Sequence, residues 1–462
     1  MTCMREWIGG ILRMVAAIGV VALLPVAQAA SVTWTGGNMT WSQPDTDSFD
    51  ATYNSGDTAT FNAIGQTATD ITIDAGGVTP GAINVVGYNW PRFNISMDNG
   101  LGTGPITLGY SCAYTFKNTK GSELTLANEI VLPSGSLLWL AGGSYRLAGT
   151  VTGGGNPIVF NSEPGHTVTL ENGVAGIGTL FDLGYSSGEK FRINGASTAS
   201  CRQCRYGVTV QIGADNVLGP TGALVVVREN AKFEAVGGAR LLANDFDSYG
   251  FTVTGAHDLE ISGSLTNLGS AAAIKKGAGT LVLSGDNSGW GNAVEIHEGV
   301  LFVGHTNALG TTGINFWGGV LELGVGDLNR TLAYDAAGNS GTIAWRDQAP
   351  GPCDGGFSAY GGDRSVTLDS GATLGWGSPL TKGSTPGFVS TGRSLVFGSH
   401  QSNAKLIFQN PIDLNGETGT IRVNDNTNST ADRAVMAGVL SGTGDSALMK
   451  SGDGTLFFNA MN

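Results

Sequence analysis

Between Ile274 and Gly324 the apolar positions form a short phrase that recurs every twenty residues: Gly279-Thr280-Leu281-Val282-Leu283, Gly299-Val300-Leu301-Phe302-Val303 and Gly319-Val320-Leu321-Glu322-Leu323. In an extended chain, residues i and i+2 project to the same face. Each phrase therefore predicts a strand that turns Leu281 and Leu283, Leu301 and Val303, or Leu321 and Leu323 inward. Leu259 with Ile261 precedes the first phrase, and Ile343 with Trp345 follows the last, each displaced by twenty-two residues. Strands this close leave no room for strand–helix–strand units, which need about thirty residues. The period predicts an all-β chain folded as a right-handed parallel β-helix with about 20–22 residues per coil.

A longer echo joins two distant stretches. Ile261-Ser262-Gly263-Ser264-Leu265 returns as Met436-Ala437-Gly438-Val439-Leu440, and Ile274-Lys275-Lys276-Gly277-Ala278-Gly279-Thr280-Leu281 returns as Met449-Lys450-Ser451-Gly452-Asp453-Gly454-Thr455-Leu456, both at an offset of 175. The phrase Lys-x-Gly-x-Gly-Thr-Leu, followed by Ser284-Gly285, Asn287 and Gly299-x-Leu301, resembles the autotransporter-associated β-strand repeat of exported bacterial passenger domains. That resemblance implies a right-handed β-helical passenger, exposure at the cell surface and no catalytic residues of its own. It also implies that the repeat assists folding during secretion.

The remaining chain divides around this repeat. Residues 30–103 read as an N-terminal capping region, in which Trp34, Trp41 and Phe61 are expected to plug the open end of the first coil. Residues 104–256 carry many short alternating pairs, such as Ile106 with Leu108, Tyr145 with Leu147 and Phe191 with Ile193, and read as an irregular β-solenoid. Residues 257–346 hold the regular coils. The stretch 347–365 contains Pro350, Pro352, Cys353 and several glycines, and reads as a loop or insertion. Residues 366–462 resume the solenoid and end in a second, incomplete repeat. An apolar interior left open there predicts either a longer native chain or a covering partner.

The first residues change the setting. Arg5 and Arg13 lead into the apolar run Met14 to Val26, which ends in Ala27-Gln28-Ala29. This is the pattern of a secretory signal peptide over residues 1–29, too short for a membrane span of about twenty residues. The mature chain is then exported, at the cell surface, in the outer membrane or outside the cell, with no transmembrane segment of its own. Composition agrees with a turn-dense β fold: 74 glycines, only 13% charged residues and a net charge of −13. Basic residues form no stripe along the sequence, which argues against nucleic acid as a partner. The expected partners are an outer-membrane translocator and a surface glycan or protein ligand. Of the five cysteines, Cys3 leaves with the signal and Cys112, Cys201, Cys204 and Cys353 remain. Cys201-Arg202-Gln203-Cys204 reads as a small loop disulfide, since no second pair at metal-ligand spacing supports zinc.

Candidate chemistry is thin. Gly184-Tyr185-Ser186-Ser187-Gly188 matches a nucleophile elbow, but that motif needs a following helix, and Phe191-Arg192-Ile193 alternates as a strand. His257-Asp258 has no sequence link to Ser186. Glu295 and His297 share the outward face of a strand. Asn244-Asp245-Phe246-Asp247 and Asn424-Asp425-Asn426 are acidic groupings in turn-like stretches, where Asn and Asp are favoured for backbone reasons alone. No catalytic, metal or cofactor-binding set emerges, and no cofactor is expected. The reading is a structural or adhesive surface passenger. The alternative is a secreted β-helical polysaccharide lyase or glycoside hydrolase, whose carboxylates would be assembled across adjacent rungs.

Overall fold

The computed structural model describes residues 29–459 except 63, 65–68, 88–90, 110–113, 134–136, 155–156, 177, 334–340, 347–352 and 378–387. The signal-peptide segment up to residue 28 and Cys112 lie outside the described residues. Short strands with alternating burial stack into sheets of 7, 11, 16, 9 and 3 strands. The result is a parallel β-solenoid of about 17 turns. Among the described residues no helix is long and apolar enough to cross a membrane.

The alternation fills the interior one residue per rung. Val32, Ala59, Ile83, Ile106, Ile130, Val151 and Val174 form a single column across the seven-stranded sheet, and all are buried. Each buried aliphatic contributes roughly 1.5–3 kcal/mol. Trp34, Trp41, Phe49 and Tyr53 of the first coil are buried together with Phe61 of the second, with Trp41 5.1 Å from Phe61 and 5.2 Å from Tyr53 between ring centroids. Antiparallel bridges from Trp34 to Phe49 and from Asp45 to Tyr53 hold this aromatic segment in place.

The regular coils follow the predicted register through Leu259, Leu281, Leu301 and Leu321. The fifth strand departs from it. Ile343 and Trp345 stack on Ile314 and Phe316 of the sixteen-stranded sheet, and Phe357 takes the position above Leu321. Leu328–Leu332 causes the shift: it pairs beyond Thr342–Trp345 although it precedes it in sequence, and then carries Arg364–Leu368. The coils from Leu321 to Phe357 and from Phe357 to Phe397 are consequently nearly twice as long as those before, and the number of turns falls below the roughly twenty that a constant period implies.

Part of the expected loop at 347–365 is also a rung. Gly355–Ala359 is a strand buried along its whole length, paired with Val320–Leu323 and Ser394–Phe397. Its glycines are close approaches rather than turns. A Cβ on Gly356 would lie 2.0 Å from the Val396 carbonyl oxygen, and one on Gly355 would lie 2.5 Å from the Phe316 side chain.

The two copies of the module occupy different faces. Ala273–Lys275 lies in the sixteen-stranded sheet and Thr280–Leu283 in the nine-stranded one, whereas Ala447–Ser451 lies in the nine-stranded sheet and Leu456–Phe458 in the sixteen-stranded one. An i, i+2 apolar pair suits any face of a coil, so the lengthened coils between the copies advance the second by one face without breaking its pattern.

Candidate functional site

The repeat residues serve the coil itself. Leu281, Leu283, Leu301, Val303, Leu321 and Leu323 are buried as expected. Lys275, by contrast, is 1% exposed and donates from Nζ to the carbonyl oxygens of Lys276 (3.0 Å), Gly277 (2.6 Å) and Glu298 (3.1 Å). It therefore ties its own turn to the turn one rung above. Gly277 makes that turn at φ +77°. Gly299, at φ +70°, leaves room for the ammonium: a Cβ there would stand 2.8 Å from Lys275 Nζ and 2.5 Å from the Gly277 and Gly279 carbonyl oxygens. Thr280 N–H donates to Asp258 Oδ1 at 2.7 Å, and a Cβ on Gly319 would lie 2.5 Å from Ile296 Cγ2 and 3.0 Å from the Gly299 carbonyl oxygen. In the second copy Lys450 Nζ donates to the Gly452 carbonyl at 2.7 Å and Gly452 has φ +75°, while Gly454 approaches the Asn424 carbonyl. There Lys450 and Thr455 are exposed and Leu456 is half-buried.

Burial pushes the Lys275 ammonium from 10.5 down to about 8, against the opposing charges of Glu298 and Asp258. The unfolded chain then holds the extra proton between about pH 8 and 10.5, so stability should rise with pH across that window by up to about 3 kcal/mol. Urea unfolding of the wild type and Lys275→Met at the two ends of the window checks this. Equal pH responses in the two proteins would show that Lys275 does not carry the effect.

The side chain that stands out was not singled out by the sequence pattern. Outward-facing Val282, Phe302, Glu322 and Ser358 form one column across four rungs, and Glu322 is fully buried. Its carboxylate accepts from Ser358 Oγ at 2.8 Å and Ser399 Oγ at 2.6 Å, and also from Gln401 Nε2. Ser399 and Gln401 belong to the turn after Ser394–Phe397, which bends back down the outer face of the nine-stranded sheet. The turn is braced by Ser402 N–H on Ser399 Oγ at 3.0 Å and by Asn426 Nδ2 on the Ser402 carbonyl at 2.8 Å. Glu322 thus fastens a clasp across several coils. The available signal was a lone acid at a position where the sibling phrases carry Val282 and Phe302.

Beside the clasp lies a cleft of about 310 Å³, floored by Gly299, Val300, Gly318, Gly319 and Val320 and rimmed by Ser399, His400, Arg422, Asn424 and Asp425. Arg422 Nη1 pairs with Asp354 Oδ2 at 3.0 Å. Glu322 is a fastener here, because hydroxyl and amide donors already occupy its carboxylate. The exposed rim groups His400 and Asp425 suit recognition of a polar ligand. Among the described residues no group of three or more His, Cys, Asp or Glu side chains is arranged to hold a metal ion.

The other sequence candidates resolve into structural roles. At the Ser-containing motif, the fully buried Glu189 accepts the backbone N–H groups of Ser162 (2.7 Å), Tyr185 (2.5 Å) and Ser186 (3.0 Å), and the strand Lys190–Ile193 follows in place of a helix. Burial pushes the Glu189 carboxyl up, and these three donors act in the opposite direction. His297 Nε2 lies 2.9 Å from Glu295 Oε2, and its ring stacks on Trp317 at 5.2 Å. Both acidic groupings staple rungs: Asp245 Oδ1 accepts Ser264 N–H at 2.7 Å, and Asn424 Nδ2 donates to the Gly398 carbonyl at 3.1 Å.

The expected Cys201–Cys204 loop disulfide is corrected to a pair of buried thiols within the strand Ser200–Cys204. A bulge sets Phe181 opposite Cys201 and Asp182 opposite Gln203, which turns both cysteines into the core. Their sulfurs lie 3.8 Å apart, beyond the roughly 2.05 Å of a bond. Burial pushes the Cys201 thiol up. The same bulge brings Arg202 and Arg205 to the fully buried Asp182, with Arg202 Nε at 2.9 Å and Arg205 Nη2 at 2.8 Å from its oxygens.

In comparisons with known proteins, no family model, no curated protein and no solved structure matches this chain.

Proposed function

We propose that the chain is an exported bacterial surface passenger of autotransporter type with a structural or adhesive role, and that its Lys-x-Gly-x-Gly-Thr-Leu repeat assists folding during secretion. The observation that supports this reading is the use to which the repeat is put. Its leucines fill the core, Lys275 ties two turns together, and Gly277 and Gly299 make room for that tie. Motif residues committed to stacking belong to a template for the next coil, because each coil in a solenoid contacts chiefly its neighbours. On this reading the chain is a secreted, stiff rod with binding surfaces along its sides, and an outer-membrane translocator is the partner that exports it.

Fractionation of source cells, followed with an antibody to the Ile274–Gly324 segment, tests the proposal. The expected result is a signal-cleaved, protease-accessible species in the surface or outer-membrane fraction. Retention in the cytosol would end the passenger reading. The cleft beside Glu322 favours a second reading, a secreted β-helical polysaccharide lyase or glycoside hydrolase acting between His400, Arg422 and Asp425. Turnover of acidic and neutral polysaccharides, with and without calcium, separates the two.

A further inference from the structure

Away from the repeat, four consecutive rungs place large side chains along one corner of the solenoid. Leu183, Cys204, Val227 and Ser248 share a column of the eleven-stranded sheet. At the turn toward the sixteen-stranded sheet, Arg228 and Tyr249 follow these residues directly, and Tyr185 and Tyr206 come one position later, after Gly184 and Arg205. The three tyrosines are 55%, 40% and 37% exposed. With rungs about 4.8 Å apart, the stripe runs about 14 Å along the solenoid axis.

Two features show that these rings are held in place. Tyr206 adopts φ +54°, a left-handed conformation that is uncommon for a bulky residue and is a pointer to function when observed. Its N–H is caught by Glu229 Oε2 at 2.8 Å. Tyr249 lies between the Arg228 guanidinium, 5.2 Å from the ring centroid, and Gly269 of the next rung, where a Cβ would come within 2.3 Å of the ring.

Among the described residues, three cations at this corner have no ion-pair partner. Lys190 and Lys232 share a column with Thr209 between them, and Arg228 lies over the Tyr249 ring. Of the nearby acids, Asp182 is buried and offset by Arg202 and Arg205, and Glu189 is buried. Two further carboxylates stand here: Glu229, which holds the Tyr206 N–H, and Asp247, which accepts from Thr266 Oγ1.

We infer that the Tyr185–Tyr249 stripe is a binding surface for a linear, carboxylate-bearing polysaccharide lying along the solenoid axis. The rings of Tyr185 and Tyr206 offer rigid, amphipathic platforms to the apolar faces of sugar rings, with Tyr249, packed between Arg228 and Gly269, presenting its exposed edge, and a pyranose ring is about as long as one rung. The Arg228 fork and the two lysines meet the carboxylates. This inference gives the proposed adhesive role a ligand class. It is tested on the purified chain, so it can fail while the surface location stands, and the reverse also holds.

The experiment measures binding of polygalacturonate and of neutral cello-oligosaccharide by calorimetry, for the wild type, the triple variant Tyr185→Ala/Tyr206→Ala/Tyr249→Ala, Arg228→Gln and Tyr206→Gly. The wild type should bind polygalacturonate in a salt-sensitive manner. The triple variant should lose at least tenfold in affinity with unchanged protease resistance, since all three rings are exposed. Arg228→Gln should weaken polygalacturonate several-fold. Tyr206→Gly should melt at a higher temperature, its left-handed strain relieved, yet bind less well, which a merely structural tyrosine would not do. No binding of polygalacturonate by the wild type, equal binding by the triple variant, or preference for the neutral glycan would each overturn the assignment.

Discussion

Leu281→Asp should unfold the central coils at neutral pH. Leu281 is 1% exposed and sits between Leu259 and Leu301 in an unbroken apolar column. Removing the isobutyl group alone costs about 2–5 kcal/mol. A carboxyl group in that setting must in addition either be buried as an unpaired charge or be held protonated, its pKa raised by as much as 3–5 units. Together these losses approach the whole stability of an ordinary domain, about 5–15 kcal/mol. Because coils are stabilised chiefly by their neighbours, trypsin should cut first within residues 257–346, while the aromatic first coil stays resistant. Acidification should restore part of the loss, since the protonated side chain carries no charge, and Leu281→Ala should fall between wild type and Leu281→Asp at pH 7. Wild-type protease resistance in the Asp variant would mean that this face does not point inward.

Glu322→Ala should release the clasp while the coils beneath it survive. The substitution strips the acceptor from Ser358 Oγ, Ser399 Oγ and Gln401 Nε2, and a buried neutral donor left without a partner typically costs about 1–3 kcal/mol. The loss should stay local, because Leu321 and Leu323 still hold the strand to the core. Backbone amides at 399–402 should exchange with solvent much faster, whereas those of Val320–Leu323 should change little. Glu322→Gln keeps the shape but turns a donor toward groups that donate, so it should be intermediate. Unchanged exchange at Ser399 and Ser402 in the Ala variant would show that the turn is held by something other than the carboxylate.

Most of the coil architecture is legible from the sequence because inward positions repeat with period two within strands and with a near-constant interval between them. Leu259, Leu281, Leu301 and Leu321 could be placed this way, and so could the buried aromatic role of Trp34, Trp41 and Phe61. The prediction failed where the interval was interrupted. Ile343 resembles the next phrase as closely as any other, yet Leu328–Leu332 inserts a rung above it, and no local preference records which earlier strand a later one will meet. Gly355 and Gly356 were misread for a related reason: a glycine that makes a turn and a glycine that lets two backbones touch are the same letter.

The outer-face features depend on contacts across long stretches of chain. Glu322 resembles a solvated acid until Ser399 and Gln401, 77 and 79 residues later, fold over it. Tyr185, Tyr206, Arg228 and Tyr249 recur at intervals of 21 or 22 residues, but only the stacked rungs show that they meet at an outward corner rather than in the interior. The sequence by itself determined the strand, its inward side and the repeating coil, because these rest on alternation and spacing within a few residues. Tertiary structure alone decided which rungs are neighbours, which face each copy of the module occupies, and which polar side chains are buried or brought together, because those outcomes depend on accumulated coil length rather than on any residue's own preference.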